Sequence, residues 1–341
     1  MERRERGLPS INQARVERRR ALVFGKVKFV GMAPHFWLWA ATVLGAAMVI
    51  YWRVEAGKIE SAKSAVMAKQ RAVAVTLGPQ ILPFRDRAEA WTRELAGEYA
   101  GDFVDPTASL SLLSDQPAVY LRLRLSDAAS TKALRAAAAQ SLRDGFTSCL
   151  FVSKGPVDTT QGPPCRTTAD CQPGTMCNEW EVCVEPTSPF NLRLAYRAMR
   201  VLSSDWTDDL HAAGSVLEIN AYERDLDKVT KHDVPIAAKL LARSRTFTVV
   251  LDEDPPAGLP PEIPDAGETS SERVQRATHM ARVGIWDLQT GRQLVRLRAN
   301  AGGEVYSVGK RTVEDPRIKA AQQRQVNSCA LALALKQKVK D

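Results

Sequence analysis

Between Lys28 and Arg53 the chain carries no Asp, Glu, Lys or Arg. The apolar centre runs from Phe36 to Trp52 through Leu38, Val43, Leu44, Met48, Val49 and Ile50. A helix of about 20 apolar residues crosses roughly 30 Å of hydrocarbon, so this stretch is long enough to span a bilayer. Trp37 and Trp39 lie near one end and Tyr51 and Trp52 at the other, the placement of two interfacial aromatic belts. A buried core helix would have little reason to exclude charge for so long or to carry aromatics at both ends. A cleaved signal peptide is the other reading. Cleavage after Gly45-Ala46-Ala47 would leave Met48-Val49-Ile50-Tyr51-Trp52 exposed at the new terminus, which favours an uncleaved anchor.

Charge gives the orientation. Of 47 Lys and Arg, nine fall within residues 1–34 (Arg3, Arg4, Arg6, Arg15, Arg18, Arg19, Arg20, Lys26 and Lys28), against Glu2, Glu5 and Glu17. These outnumber Arg53, Lys58, Lys63, Lys69 and Arg71 on the other side, so the N-terminus is expected in the cytoplasm. The arm can touch anionic lipid, although setting the topology already accounts for its charges. Outside it, 38 basic residues face 36 acidic ones, so the net +8 is no argument for nucleic-acid binding by the main domain.

Cys165, Cys171, Cys177 and Cys183 fall at even intervals between Gly162-Pro163-Pro164 and Pro186. They lack the C-x2-C knuckles of a zinc ribbon, and few apolar residues surround them, so covalent closure would organise this loop. Cys165-x4-Asp170-Cys171-x2-Gly174-x2-Cys177-x5-Cys183 resembles the short cysteine modules of exported bacterial surface proteins, over about 20 of the 341 residues. That resemblance implies disulfides and an oxidising compartment, and no activity. Those proteins often carry the module in tandem, whereas a single inserted copy reads as a stapled surface loop. Four cysteines allow three pairings that the sequence does not separate, with Cys165–Cys177 and Cys171–Cys183 preferred. Cys149 and Cys329 either stay as two buried thiols or pair with each other.

The rest reads as a mixed α/β domain, with α+β as the alternative. A stalk helix over 53–78 ends before Pro79 and Pro83. A first half over 79–154 holds a helix from Arg85 to about Ala100, an alternating strand at Ala118–Leu125 with one solvated face, a helix near 129–144 and a buried strand at Phe146–Val152. After the loop at 155–187, a second half over 188–253 holds a helix from Leu192 to Leu210, a strand at Val216–Tyr222, a helix at 234–244 and a strand at Thr246–Leu251. Both series read helix, strand, helix, strand, which suggests an internal duplication or a coincidence of Ala- and Leu-rich sequence. A Pro-rich segment at 254–275 precedes a β-hairpin and a C-terminal helix within 276–341. The hairpin's Ile285-Trp286-Asp287-Leu288 resembles a strand pair of a WD-type propeller blade. One copy builds no propeller, so the hairpin is expected at an edge of the main sheet.

No catalytic, cofactor-binding or metal-binding constellation emerges. The G-x-S-x-G elbow is absent, and Gly303-x5-Gly309-Lys310-Arg311 is one residue too long for a phosphate loop and lacks its Ser/Thr. His35, His211, His232 and His279 are scattered and expected at the surface or lightly buried. The groups Asp205, Asp208, Asp209 and Asp252-Glu253-Asp254 read as solvated acids. Cys149, in an apolar setting, reads as structural rather than nucleophilic. The expected function is therefore a membrane-anchored, extracytoplasmic binding or assembly protein of the bacterial envelope, non-catalytic, contacting lipid and other envelope proteins, without nucleic acid or an identified small ligand. An anchored hydrolase with a dispersed site is the alternative. A sensor ranks last, because the arm carries no recognisable output domain.

Overall fold

The computed structural model describes residues 34–141, 144–150, 162–172, 175–177, 181–184, 190–263, 267–304 and 315–339. The basic arm, the first residues of the uncharged stretch, Phe151 and Val152, and most of the phosphate-loop lookalike lie outside them. The chain divides into two units, residues 1–58 and residues 59–341.

Helix α1, Pro34–Ala96, begins in the first unit and continues into the second. Its first part is one long apolar helix whose Phe36, Leu38, Trp39, Val43, Leu44, Met48, Val49 and Trp52 are all exposed. From Ile59 onward the helix belongs to the second unit and is no free stalk. Val66, Ile81, Phe84, Ala88 and Leu95 are buried in its core, and buried Gln70 donates to the Val201 carbonyl at 3.0 Å. The expected break at Pro79 and Pro83 does not occur, because both prolines lie inside α1. Proline forfeits one backbone hydrogen bond and crowds a preceding carbonyl. Burial of Ile81 and Phe84 beside the two prolines offsets that loss.

The second unit is mixed helix and sheet. Its strands are β1 (Phe103–Val104), β2 (Ala118–Arg124), β3 (Met176–Cys177), β4 (Cys183–Val184), β5 (Phe190–Asn191), β6 (Thr246–Asp252), β7 (His279–Asp287) and β8 (Gln293–Ala301). Six form one sheet in the order β1-β8-β7-β6-β2-β5, with β2 parallel to both β5 and β6 and the other pairs antiparallel. The hairpin β7–β8 is therefore inside the sheet, with β1 beyond it, and not at the edge.

Helices follow as α2 (Leu110–Asp115), α3 (Thr131–Ala138), α4 (Gly145–Leu150), α5 (Arg193–Val201), α6 (Ser204–Ala212), α7 (Val216–Lys228), α8 (Val234–Arg243), α9 (Ser270–Arg276) and α10 (Pro316–Lys338). One core joins Val119, Leu121, Phe247 and Val249 to α1 and α5–α8, and a second joins Tyr120, Val250, Val283 and Ile285 to α4 and α10. Helices thus cover both faces of the sheet. This corrects β2, whose alternation reads as one solvated face: the strand is buried from Ala118 to Leu123.

Two expected strands are helices. Val216–Tyr222 lies in α7, where Ser215 Oγ accepts from Glu218 N and Glu218 Oε2 accepts from Gly214 N at 2.7 Å. Phe146–Leu150 lies in α4, where Asp144 Oδ1 accepts from the backbone of Phe146 and Thr147. In both, a side-chain acceptor takes up orphan amides at the first turn and so favours helix over strand. With these assignments the two series no longer share an element order.

Trp91, Phe247 and Trp286 stack with ring centroids 5.6 to 6.1 Å apart where α1 crosses the sheet. Gly284, two residues before Trp286 on β7, leaves the space that this indole occupies, since a Cβ there would overlap the ring and come within 3.0 Å of Leu95 Cδ2. Gly284→Ala is therefore expected to destabilise the domain by about 1–3 kcal/mol through overpacking, read as a lower midpoint in denaturant with an unchanged slope.

Candidate functional site

A buried polar network lies at the carboxyl ends of the parallel strands β2 and β6. Arg122 sits on the face of β2 that meets α4 and α10, its side chain 1% exposed. Its Nε and Nη2 donate to the two Asp252 carboxylate oxygens, each at 2.8 Å. Its Nη1 donates to Asp144 Oδ2 at 2.7 Å and to Ser328 Oγ at 2.8 Å. Asp252 comes from the end of β6, Asp144 from the start of α4 and Ser328 from α10. One guanidinium thus joins three elements that are distant in sequence. Two residues further along the chain on each side, Arg124 at the end of β2 pairs with Asp254 just beyond β6 at 2.8 Å, nearer to solvent.

These placements correct two expectations. Asp252 is no solvated acid but is buried, with 1% of its side chain exposed. His279 is fully buried on β7, its Nε2 lying 2.9 Å from Asp252 Oδ1 and its Nδ1 2.8 Å from the Ala277 carbonyl. In each case the partner lies far along the chain, so local sequence gave no warning. Glu253 does remain near the surface and pairs with Arg282 and Arg298.

Electrostatics follow from this packing. Burial by itself would raise the Asp252 carboxyl, but the Arg122 charge and the hydrogen bonds from His279 and Arg122 outweigh it and lower the group to about 2. Burial opposes the Arg122 charge, yet Asp252 and Asp144 hold its pKa well above the usual value. Tyr120, whose hydroxyl donates to Asp144 Oδ2 at 2.8 Å, is pushed up by burial and then by the Asp144 charge.

Above this network opens a cleft of about 680 Å³, lined by the ends of β2, by α3, by the start of α9 and by one side of α10. Its boundaries are fixed from several sides. Buried Asn327 of α10 donates to the carbonyls of Gln275, Arg276 and Ala277 at the end of α9, at 2.9 to 3.0 Å. A Cys149–Cys329 disulfide ties α4 to α10. No histidine, cysteine or lysine lines the cleft among the described residues. Its carboxylates are already engaged: Asp127 accepts from Arg124 N, Glu272 from Thr269, and Asp144 from Arg122 and Tyr120. Such a cleft has directional hydrogen-bonding groups but, among the described residues, no unengaged acid–base pair.

The remaining four cysteines form a small disulfide cluster within the second unit. Cys165–Cys177 and Cys171–Cys183 cross over the two-stranded β3–β4 ribbon, and the half-cystines are themselves the core of the module. Asp170, beside Cys171, accepts from the amides of Arg166 and Thr167, and these bonds lower its pKa. The sulfurs of Cys165, Cys171 and Cys183 gather within 4.8 Å of one another because the bridges cross. Bonded sulfur offers no thiolate, so this cluster is not a metal-ligand set. Of the other acids singled out, Asp205 pairs with Arg135 and Asp209 with Arg200.

Asp252→Asn leaves Arg122 with half of its counter-charge in a buried site and is expected to cost about 3–5 kcal/mol in denaturant unfolding at neutral pH. The pH dependence has a definite sign. A folded-state carboxyl lowered to about 2 contributes stability that is complete above the ordinary value near 4 and is lost as pH falls through about 2. The wild type should therefore lose about 2 kcal/mol more than Asp252→Asn between pH 4 and 2, measured by urea midpoints across that window. Compared with known proteins, the chain matches no family model, no curated protein and no solved structure.

Proposed function

We propose that the chain is a single-pass, membrane-anchored protein of the bacterial envelope whose domain beyond the anchor works outside the cytoplasm as a non-catalytic binding or assembly component. The observation that carries this reading is an apolar helix with none of its hydrophobic window buried, followed in the chain by three disulfides. Exposed apolar surface of that extent costs about 25 cal/mol per Å² in water, a cost that lipid removes. Phe36–Trp52 measures about 26 Å along a helix, close to the hydrocarbon thickness. The basic residues ahead of it set the N-terminus inside, and the disulfides fit an oxidising compartment on the other side. Membrane lipid and other envelope proteins are then the partners. The engaged carboxylates of the cleft favour binding over hydrolysis.

Topology and partnership are tested separately. Periplasm-active reporter fusions placed after Asp341 should be active and those placed before Met1 inactive. Thiol alkylation without reductant should label none of the six cysteines in cells, and all six after reduction and denaturation. Reduced cysteines in the native cellular protein, or an inverted fusion pattern, would end the exported reading. In membranes treated with a crosslinker, the chain should co-purify with at least one other envelope protein, and a solitary monomer under every condition would remove the assembly role.

A further inference from the structure

We propose that the cleft at the carboxyl ends of β2 and β6 binds a short neutral saccharide. The inference rests on the binding half of the function proposed above and is independent of membrane anchoring.

Position and size come first. Crevices outside the carboxyl ends of parallel strands are where open α/β sheets take their ligands, and about 680 Å³ is within the range of small-molecule sites. Charge then narrows the class. The arginines of the lining, Arg122, Arg124 and Arg324, are all paired already: with Asp252 and Asp144, with Asp254, and with Glu268 and Glu272. They are matched in the lining by Asp127, Asp144 and Glu272. An anion would have to displace one of these carboxylates; a cation would have to displace a guanidinium from Asp144 or Glu272, or the Arg124 amide from Asp127. Neither gains from entering.

The unspent hydrogen-bonding capacity is neutral. Ser141 Oγ, on a residue 8% exposed, accepts from Arg122 N and from Asn191 Nδ2, each at 3.3 Å. Ser328 Oγ, on a residue 1% exposed, accepts from Arg122 Nη1. Among the described residues neither hydroxyl donates to anything, so two nearly buried O–H groups in the cleft lining await acceptors. The side chains of Gln140, Ser270 and Ser271 likewise make no hydrogen bond among the described residues and line the same space. In the same lining, Ala133, Ala136 and Ala137 put small methyl groups on one face of α3, a low apolar ledge without branches. A wholly apolar ligand would strand the serine hydroxyls at a cost of about 1–3 kcal/mol each. A pyranose has what the lining lacks: uncharged oxygens that accept and donate around the ring, and a C–H face to lie on the ledge.

The test uses the full chain in lipid nanodiscs, which avoids sugar-headed detergents. Calorimetric titration with N,N′-diacetylchitobiose and with cellobiose is compared with inorganic phosphate, succinate and putrescine. At least one disaccharide should bind saturably, and the three charged probes should not. Ala136→Trp, a change at an exposed position that fills the cleft, should weaken binding at least about tenfold. Gln140→Ala should weaken it about threefold to tenfold, the worth of one net hydrogen bond. Leu217→Trp, on the exposed surface of α7, should leave binding unchanged. The proposal is overturned if neither disaccharide binds the folded wild type, if a charged probe binds in preference, or if both cleft variants bind like wild type. Chromatography of the recovered sugar separates this outcome from the function proposed above. A cleaved disaccharide would support the ligand class while refuting the non-catalytic role, and failure to bind would leave the anchored assembly role standing.

Discussion

The buried pairing of Arg122 with Asp252 sets the terms for the rest of the fold of residues 59–341. It joins the parallel strands β2 and β6 across 130 residues of chain. A one-residue slip of β2 would turn Arg122 into the face occupied by Leu121 and Leu123, against the apolar side chains of α1 and α5–α8. A buried ion pair adds little net stability over an apolar pair of the same size, while a misplaced charge is very costly. Here the pair acts chiefly as a register key, and a second pair, Arg124–Asp254, follows nearer to solvent. Arginine is required because a single planar fork must serve Asp252 at two points and reach Asp144 and Ser328 together, which an ammonium cannot do.

The disulfides divide their work. Cys165–Cys177 and Cys171–Cys183 each close a short loop and substitute for a core that the surrounding sequence cannot build. Cys149–Cys329 spans 180 residues. In the chain-entropy picture a loop of that length is worth about 5 kcal/mol, against about 3 for each short one. It also joins α4 and α10, the two helices that supply Asp144 and Ser328 to Arg122. Covalent and electrostatic constraints therefore converge on the same corner of the domain, and Asn327 adds a third where α9 meets α10.

What the sequence made legible was local. The uncharged stretch, the even cysteine spacing and the buried strand Thr246–Leu251 all announce themselves within a few residues. Most of the differences from the sequence expectation share one cause, interactions that close over long distances. Arg122 alternates with Leu121 and Leu123 and so looks solvated, until a carboxylate 130 residues away neutralises it inside. His279 and Asp252 look like surface groups in the sequence for the same reason. Pro79 and Pro83 look like a helix end because the packing of Ile81 and Phe84 is invisible locally. The α7 start is local by contrast: Ser215-Val216-Leu217-Glu218 carries a capping-box spacing that marks a helix start, followed by a short apolar run that resembles a strand.

The chemistry of the cleft follows from the same ion pair. A hydroxyl that accepts from a guanidinium has a lone pair committed on that side, so its proton must turn elsewhere. For Ser328, held between Arg122 and the open cleft, the open side is what remains. Ser141 is constrained likewise by the Arg122 amide and the Asn191 side chain. Arg122 thus spends its own charge entirely on protein carboxylates, yet fixes which way two neutral donors face. A structural salt bridge becomes a device for presenting uncharged hydrogen bonds, and a surface that gathers three arginines ends up suited to a ligand with no charge.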